Sequence, residues 1–376
     1  MSTMQESSKQ HLIMSDHEHY MARALQLAER GLFTTCPNPR VGCVIVNNGN
    51  VVGEGWHQRA GEGHAEVNAL LAAGQYAAGA DCYVTLEPCS HFGRTPPCAD
   101  SLIKAGVKRV YVAMADPNPI VAGTGIEKLK QAGMEVVTGV LEAQAQKLNP
   151  GFIMRMQAKR PFVRSKLAMS LDGRTAMASG ESQWITGAAA RIDVHKLRAR
   201  SSAIITGIGT VLSDNPSLTV RPEGADWYPK QGKVRQPLRV VVDSQLRTPK
   251  DAGLFATDSK VVIATTLHQP SIDIDAEVLT LPAIDKQVDL SALMTHLAGL
   301  GMNEVMVEAG PVLNGALLSA GLIDEMVIYM APKLMGNTAN GLFNLPAIQT
   351  MAQNIDLQIS DIRAVGDDWR ITAQPQ

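Results

Sequence analysis

The sequence predicts an α/β protein made of two domains, and three observations carry that prediction. A chain of 376 residues with 45% hydrophobic content is long enough for two ordinary cores. Short apolar runs of strand length alternate with stretches of helical spacing along most of it. The alternation breaks at Lys159-Arg160-Pro161 and starts afresh, which sets the expected domains at residues 16–158 and 159–376.

Met1 to about Ser15 is polar and without period, so it reads as a frayed leader. His11, His17 and His19 read as mobile, solvated side chains rather than metal ligands. Met21, Ala24, Leu25 and Ala28 recur at helical spacing and predict a helix over about Asp16 to Glu29. Val41 to Val46 is a strand, Asn47-Asn48-Gly49-Asn50 a turn, and Val51-Val52 the returning strand. His64 and Glu66 open a helix that continues through Ala69, Leu70 and Ala73. Tyr83 to Leu86 is a strand delivering Cys89 at its end, and Cys98 opens the helix of Leu102 and Ile103. Val110 to Met114 is a further strand. Gly123-Thr124-Gly125 is not a dinucleotide fingerprint, because Glu127-Lys128 stand where the third glycine should fall. These are tight-turn glycines before the helix of Ile126, Leu129 and Lys130. Val136 and Val137 close the sheet, and an amphipathic stretch from Gln144 to Phe152 leads to the boundary.

The second domain opens with a strand at Phe162 to Ala168. Ala203 to Thr206 is a buried strand ending in Gly207-Ile208-Gly209-Thr210, and Val305 to Glu308 is another, running into Ala309-Gly310-Pro311-Val312-Leu313-Asn314-Gly315. A strand followed by a glycine-containing helix start is the usual phosphate position in an open α/β sheet. Gly321 to Tyr329 reads as an apolar late strand, either ordinary core or a surface that packs across subunits.

Composition narrows the function. Lys and Arg total 34 against 36 for Asp and Glu, a net charge of −2, so nothing draws the chain globally to nucleic acid or an anionic membrane. Five cysteines, an odd count, argue against a disulfide framework, and Cys36, Cys43 and Cys82 read as small buried hydrophobes. No apolar run reaches membrane-span length and the N-terminus is not signal-like, so the expected location is the cytoplasm.

The chemistry lies in His64-Ala65-Glu66, Pro88-Cys89 and Cys98. One imidazole and two thiolates suit tetrahedral zinc, and three protein ligands leave the fourth position for water, as catalytic sites do. Zinc brings the pKa of its water to roughly 7, and Glu66, a carboxylate that is not a ligand, can then carry protons. The order matches the H-x-E…P-C-x-x-C pattern of nucleobase deaminases, with a longer loop between the thiolates.

Thr35-Cys36-Pro37-Asn38-Pro39-Arg40-Val41-Gly42, His64-Ala65-Glu66-Val67 and the run from Thr85 through Pro88-Cys89 to Pro97-Cys98 resemble the bifunctional riboflavin-biosynthesis deaminase/reductase family. Lys166-Leu167-Ala168-Met169-Ser170-Leu171-Asp172-Gly173 and Trp184-Ile185-Thr186-Gly187 are similar to that family's reductase half. The resemblance implies a cytidine-deaminase-like three-layer α/β/α domain followed by a dihydrofolate-reductase-like α/β domain, with Zn2+ and NADPH as cofactors. It places metal ligands at His64, Cys89 and Cys98, the catalytic proton carrier at Glu66, and substrate contacts at Asn38, His91 and Arg94. The nicotinamide cofactor would meet Ala168, Trp184, Thr210, Asp214, Ser244, Gly310, Pro311, Val312, Leu313, Asn314, Gly315 and Ala316. The substrate, a phosphorylated pyrimidine, would meet Ser182, Arg198, Leu218, Arg221 and Glu308, the two arginines as phosphate clamps and Trp184 as a flat surface or a buried ring. Lys166 and Asp172 would help to polarise or protonate the sugar. A homodimer or higher homo-oligomer is expected, with no nucleic acid or membrane as partner. Gly63 and Ser202 stand where the family often has Pro and Asp, and neither change removes a reacting group. Rival readings are a nucleic-acid base deaminase, a zinc staple with a nucleotide sensor, and a chain with one degenerate half.

Overall fold

The computed structural model describes residues 15–90, 96–119, 121–222, 226–230, 233–257, 259–268, 274–346 and 348–376. Its contacts divide the chain into two units, the first comprising Met1–Thr35 and Arg40–Asn149, the second Cys36–Pro39 and Pro150–Gln376.

The first unit begins with α1 (Asp16–Glu29), started by a capping box in which Ser15 and Glu18 satisfy each other's backbone N–H groups. The chain continues through β1 (Gly42–Asn47), β2 (Asn50–Trp56), α2 (Ala65–Ala73), β3 (Asp81–Val84), α3 (Cys98–Lys104), β4 (Arg109–Val112), α4 (Thr124–Gln131), β5 (Glu135–Thr138) and α5 (Glu142–Leu148). Among the described residues the strands form one sheet in the order β2-β1-β3-β4-β5, antiparallel around β1 and parallel from β3 to β5. Alternation along the strands feeds two faces. Cys43, Ile45, Cys82, Val84, Val110 and Val112 pack under α2, α3 and α4, while α1 covers the opposite face. A Cβ on Gly53 or Gly55 would come within 2.3 Å of α2 backbone, so this helix rests directly on β2. The amphipathic stretch from Gln144 to Phe152 is two helices rather than one. Asn149 exchanges hydrogen bonds with the Arg40 backbone (2.8 Å each way), and Pro150 starts a new helix, α6 (Pro150–Ala158), at the position where a missing N–H costs nothing.

The second unit continues through β6 (Phe162–Ser170), β7 (Arg174–Ala176), α7 (Ala188–Arg200), β8 (Ala203–Gly207), α8 (Ile208–Asp214), β9 (Leu238–Val242), β10 (Val261–Thr265), β11 (Glu277–Thr280), the short pair β12 (Ala283–Ile284) and β13 (Gln287–Val288), α9 (Leu290–Gly299), β14 (Glu304–Val307), α10 (Pro311–Ser319), β15 (Glu325–Ala331), β16 (Asn340–Gly341), β17 (Leu357–Val365) and β18 (Asp368–Pro375). Its main sheet, in the order β11-β10-β9-β8-β14-β6-β15-β18-β17, is parallel through β15 and ends in an antiparallel hairpin. One face packs on α9 and α10, the other on α7 and α8. Arg164, Glu304 and Glu325, at the amino ends of β6, β14 and β15, form a buried charge cluster that Arg200 joins. The carboxyl ends of those strands are thereby left for ligands. The segment Gly321 to Tyr329 is core: β15 lies between β6 and β18, with Val327 and Tyr329 fully buried, so it offers no free edge.

Candidate functional site

His64 is the N-cap of α2 but makes no side-chain capping bond, which frees its ring to face the thiols. Its Nδ1 lies 3.2 Å from Cys98 Sγ and 3.7 Å from Cys89 Sγ, and the three ligand atoms lie within 4.8 Å of one another. Tetrahedral zinc, with bonds of about 2.3 Å to sulfur and 2.0–2.1 Å to nitrogen, needs ligand atoms roughly 3.5–3.8 Å apart, so the set fits with small adjustments. Cys98 opens α3 and its backbone N–H donates to Cys89 Sγ at 3.3 Å, so a helix N-terminus already favours a thiolate there. Hydrogen bonding from Cys98 pulls the Cys89 thiol down to about 4, and the same contact with burial pushes Cys98 up. The bond to Cys89 raises His64. Glu66, in the first turn of α2 and 3% exposed, is pushed up to about 7 by burial. A carboxyl poised there exchanges protons readily at neutral pH.

Sequence reasoning missed His57. Buried at the end of β2, it places Nδ1 3.1 Å from Gly63 O and its ring edge-on to His64 at 5.4 Å, steadying the backbone that carries the ligand. Its only sequence signal is a histidine just after a strand, which is weak. Cys43 and Cys82 are buried as expected, but Cys36 is only half-buried, with Sγ 3.0 Å from Ser202 Oγ. His17 is not loose either: its ring stacks on Tyr111 at 4.3 Å and its Nδ1 meets Tyr83 OH at 2.9 Å. Asn38 sits half-buried in the segment Cys36–Pro39 of the second unit, where Pro37 O accepts from Asn303 Nδ2 at 2.8 Å. His91 and Arg94, and the leader with His11, lie outside the described residues.

In the second unit, β8 ends at α8 and β14 at α10, and these two strands are neighbours. Thr210 and Asp214 lie on α8, and Asp214 accepts from Ser182 Oγ at 3.4 Å. Gly310 caps α10, Pro311 is its first residue, and a Cβ on Gly310 or Gly209 would meet nothing within 4 Å. Val312 on α10 (69% exposed) and Trp184 (64%) present large apolar surfaces to solvent. The Trp184 ring is therefore a surface and not core, with the Arg191 guanidinium 4.9 Å over it. Asn314 is fully buried, accepting from Ser165 Oγ and donating to Ala309 O, both at 2.7 Å, while Gly315 lets the Asn344 backbone pass close by. Ser244 also acts inside the fold, bonded to Gln287 and the Val288 N–H. Ala168 is half-buried near the end of β6; Leu313 is half-buried and Ala316 exposed on α10.

Two expectations change. Arg198 already grips Glu308 with two prongs, and its Nη1 donates to Thr219 O, so it is not a free phosphate clamp; Arg221 is exposed. Asp172 accepts from Ser170 Oγ, Met335 N and Gly336 N, which hold its carboxylate at about 2 and make it a loop clamp rather than a proton donor. Lys166, by contrast, is lowered by desolvation beside Glu308 and Arg198. His195, unnoticed in the sequence, is pushed to about 4 by burial and then by Arg198 and Arg221, and its Nδ1 accepts the Arg221 N–H at 3.3 Å. Leu218, with φ of 51°, is buried just upstream.

Residues 161–371 match the RibD C-terminal domain, and residues 14–114 match the cytidine and deoxycytidylate deaminase zinc-binding region. The chain is 52% identical over 358 residues to the riboflavin biosynthesis protein RibD of Escherichia coli (strain K12), covering 93% of this chain and 97% of that protein. The chain belongs to the RibD family. A solved RibD structure from Acinetobacter baumannii superposes with a TM-score of 0.89 at 45% identity, covering 96% of this chain and 99% of the other. The diaminohydroxyphosphoribosylaminopyrimidine deaminase/5-amino-6-(5-phosphoribosylamino)uracil reductase of Thermotoga maritima gives 0.85 at 32%, with the same coverage. As a RibD-family protein the chain is a bifunctional deaminase and reductase of riboflavin biosynthesis, with Zn2+ and NADPH as cofactors, and the expected pair of cytidine-deaminase-like and dihydrofolate-reductase-like folds holds. No helix among the described residues is long and apolar enough to cross a membrane.

Proposed function

We propose that residues 16–158 deaminate a diaminohydroxyphosphoribosylaminopyrimidine and that residues 159–376 reduce the ribosyl chain of the resulting uracil to ribityl. The observation that carries the first half is the cluster of His64 Nδ1, Cys89 Sγ and Cys98 Sγ within 4.8 Å beside the buried Glu66. These three residues would hold zinc, which would supply an activated water. Glu66, poised near neutrality, would carry two protons in turn: one from the water to the ring nitrogen as the C–O bond forms, and a second from the added hydroxyl to the amino group, which leaves as ammonia as the C–N bond breaks. Substrate contacts at Asn38, His91 and Arg94 belong to this reading on sequence grounds alone.

Ala168, Trp184, Thr210, Asp214, Ser244 and the Gly310–Ala316 turn would hold NADPH, which would supply the hydride. Trp184 and Val312 would shield it from water through their exposed apolar surfaces. Arg221 takes the phosphate, with Ser182 and Leu218 beside it on the substrate. Glu308, oriented by Arg198, holds a sugar hydroxyl and keeps Lys166 placed to move a proton at the sugar oxygen. The reading includes a homodimer or higher homo-oligomer, supported by the exposed apolar side chains of Ile359, Ile362 and Trp369 on the β17–β18 hairpin, and a cytoplasmic location without a nucleic acid or membrane partner.

The test follows ammonia release and NADPH oxidation separately in zinc-loaded protein, with Glu66→Ala alongside. The proposal expects ammonia first and NADPH consumption after it. The variant should keep zinc, release no ammonia, and still oxidise NADPH when given the deaminated compound. Ammonia release surviving in Glu66→Ala removes the first half, and NADPH left untouched by the deaminated compound removes the second.

A further inference from the structure

Glu87 stands two residues before Cys89 and is 3% exposed, yet no cation pairs with it among the described hydrogen bonds and ion pairs. Its carboxylate instead accepts four backbone N–H groups. Oε2 takes Asp116 N at 3.1 Å and Gly123 N at 3.0 Å; Oε1 takes Gly125 N at 2.9 Å and Ile126 N at 3.2 Å. A fully used carboxylate of this kind forms strong charge-assisted bonds and fixes both partners.

The same segment touches the next residue. A Cβ on Gly125 would lie 1.9 Å from Pro88 O, so glycine is the residue that lets the start of α4 press against the peptide leading into Cys89. On the other side of the cysteine, Ser90 Oγ meets Thr124 Oγ1 at 2.6 Å. Residues 87, 88 and 90 thus each touch Asp116 or the Gly123–Ile126 stretch, and Cys89 lies between them.

We propose that Glu87 is a positioning residue for the zinc ligand Cys89, acting through the Gly123-Thr124-Gly125 turn. The inference rests on the reading of His64, Cys89 and Cys98 as the zinc site. Glutamine keeps the size of Glu87 but turns one acceptor oxygen into a donor that faces two N–H groups, so the segment cannot stay in place. Loss of an outer partner of a ligand costs about 10–100-fold in metal affinity.

The experiment measures zinc affinity by chelator competition in the full chain for wild type, Glu87→Gln and Gly125→Ala, with NADPH-dependent reduction of the deaminated compound reporting that the second unit is intact. Both variants should bind zinc about 10–100-fold more weakly and shift the thiolate absorption of the cobalt-loaded protein. A second measurement needs no variant. Coupling is reciprocal, so zinc binding to the wild type should slow hydrogen exchange at Asp116, Gly123, Gly125 and Ile126. Unchanged zinc affinity in Glu87→Gln, or unchanged exchange at those amides on zinc loading, overturns the proposal while leaving the zinc site standing. A wild type whose zinc affinity is indifferent to His64→Ala overturns both.

Discussion

Arg198 and Glu308 meet side by side, Nε to Oε1 at 2.5 Å and Nη2 to Oε2 at 2.9 Å, in a pair largely shut away from water. The arginine expected to clamp a phosphate therefore holds a carboxylate in place. Arg198→Met leaves Glu308 buried without its partner, and breaking such a pair costs about 3–5 kcal/mol. Thermal unfolding of the reductase unit should fall accordingly and reductase activity should be lost, while ammonia release stays. Adding Glu308→Leu should recover stability but not reduction.

Glu66 has no metal-binding duty in the proposed mechanism. Glu66→Gln should lower ammonia release by about 10²–10⁴-fold, the usual worth of a general acid–base group, with zinc content unchanged. Metal analysis alongside the ammonia assay checks this.

His195 sits at about 4 in the folded protein against 6.5 for the ordinary side chain. The unfolded chain binds the extra proton first, so its contribution to stability is complete above about pH 6.5 and is lost as pH falls towards 4. The melting temperature of the reductase unit should therefore decline across that window, and His195→Gln should flatten the decline. Thermal scans at several pH values read it directly.

Helix α7 has no cap of its own: Gly187 precedes it, and Asp368 from β18 accepts the Gly187 N–H at 2.7 Å. Asp368→Ala should cost about 0.5–2 kcal/mol, as loss of an N-cap does. Because Trp184 lies three residues upstream of Gly187, the Michaelis constant for NADPH should rise as well, while ammonia release is unaffected.

Local chemistry was legible in the sequence. Met21, Ala24, Leu25 and Ala28 at helical spacing announced α1, and a histidine, a glutamate and two cysteines in short motifs at helix starts and strand ends announced the metal site, because each of those signals is local. Relationships between distant segments were not legible. Glu87 looks like any strand-end carboxylate until Asp116, Gly123, Gly125 and Ile126 donate to it, and Arg198 looks like a free clamp until β14 delivers Glu308. The stretch from Gln144 to Phe152 kept a helical period across a break, since Asn149 is held by Arg40, more than a hundred positions away in sequence. The apolar pattern of β15 told that it is buried but not by which neighbours, and only the pairing with β6 and β18 decides that.

The close seat of α2 on β2 at Gly53 and Gly55 makes the metal a ruler. His64 and Glu66 ride on that helix, whereas Cys89 and Cys98 hang from β3 and α3. One of the three protein ligands is thus mounted on one body and two on another, and zinc bonds tolerate only tenths of an ångström. A single methyl at position 53 or 55 lifts the helix, carrying ligand and proton carrier outward together while the thiols stay behind. Metal affinity in this half of the chain therefore reads out helix-to-sheet spacing more finely than a melting curve could.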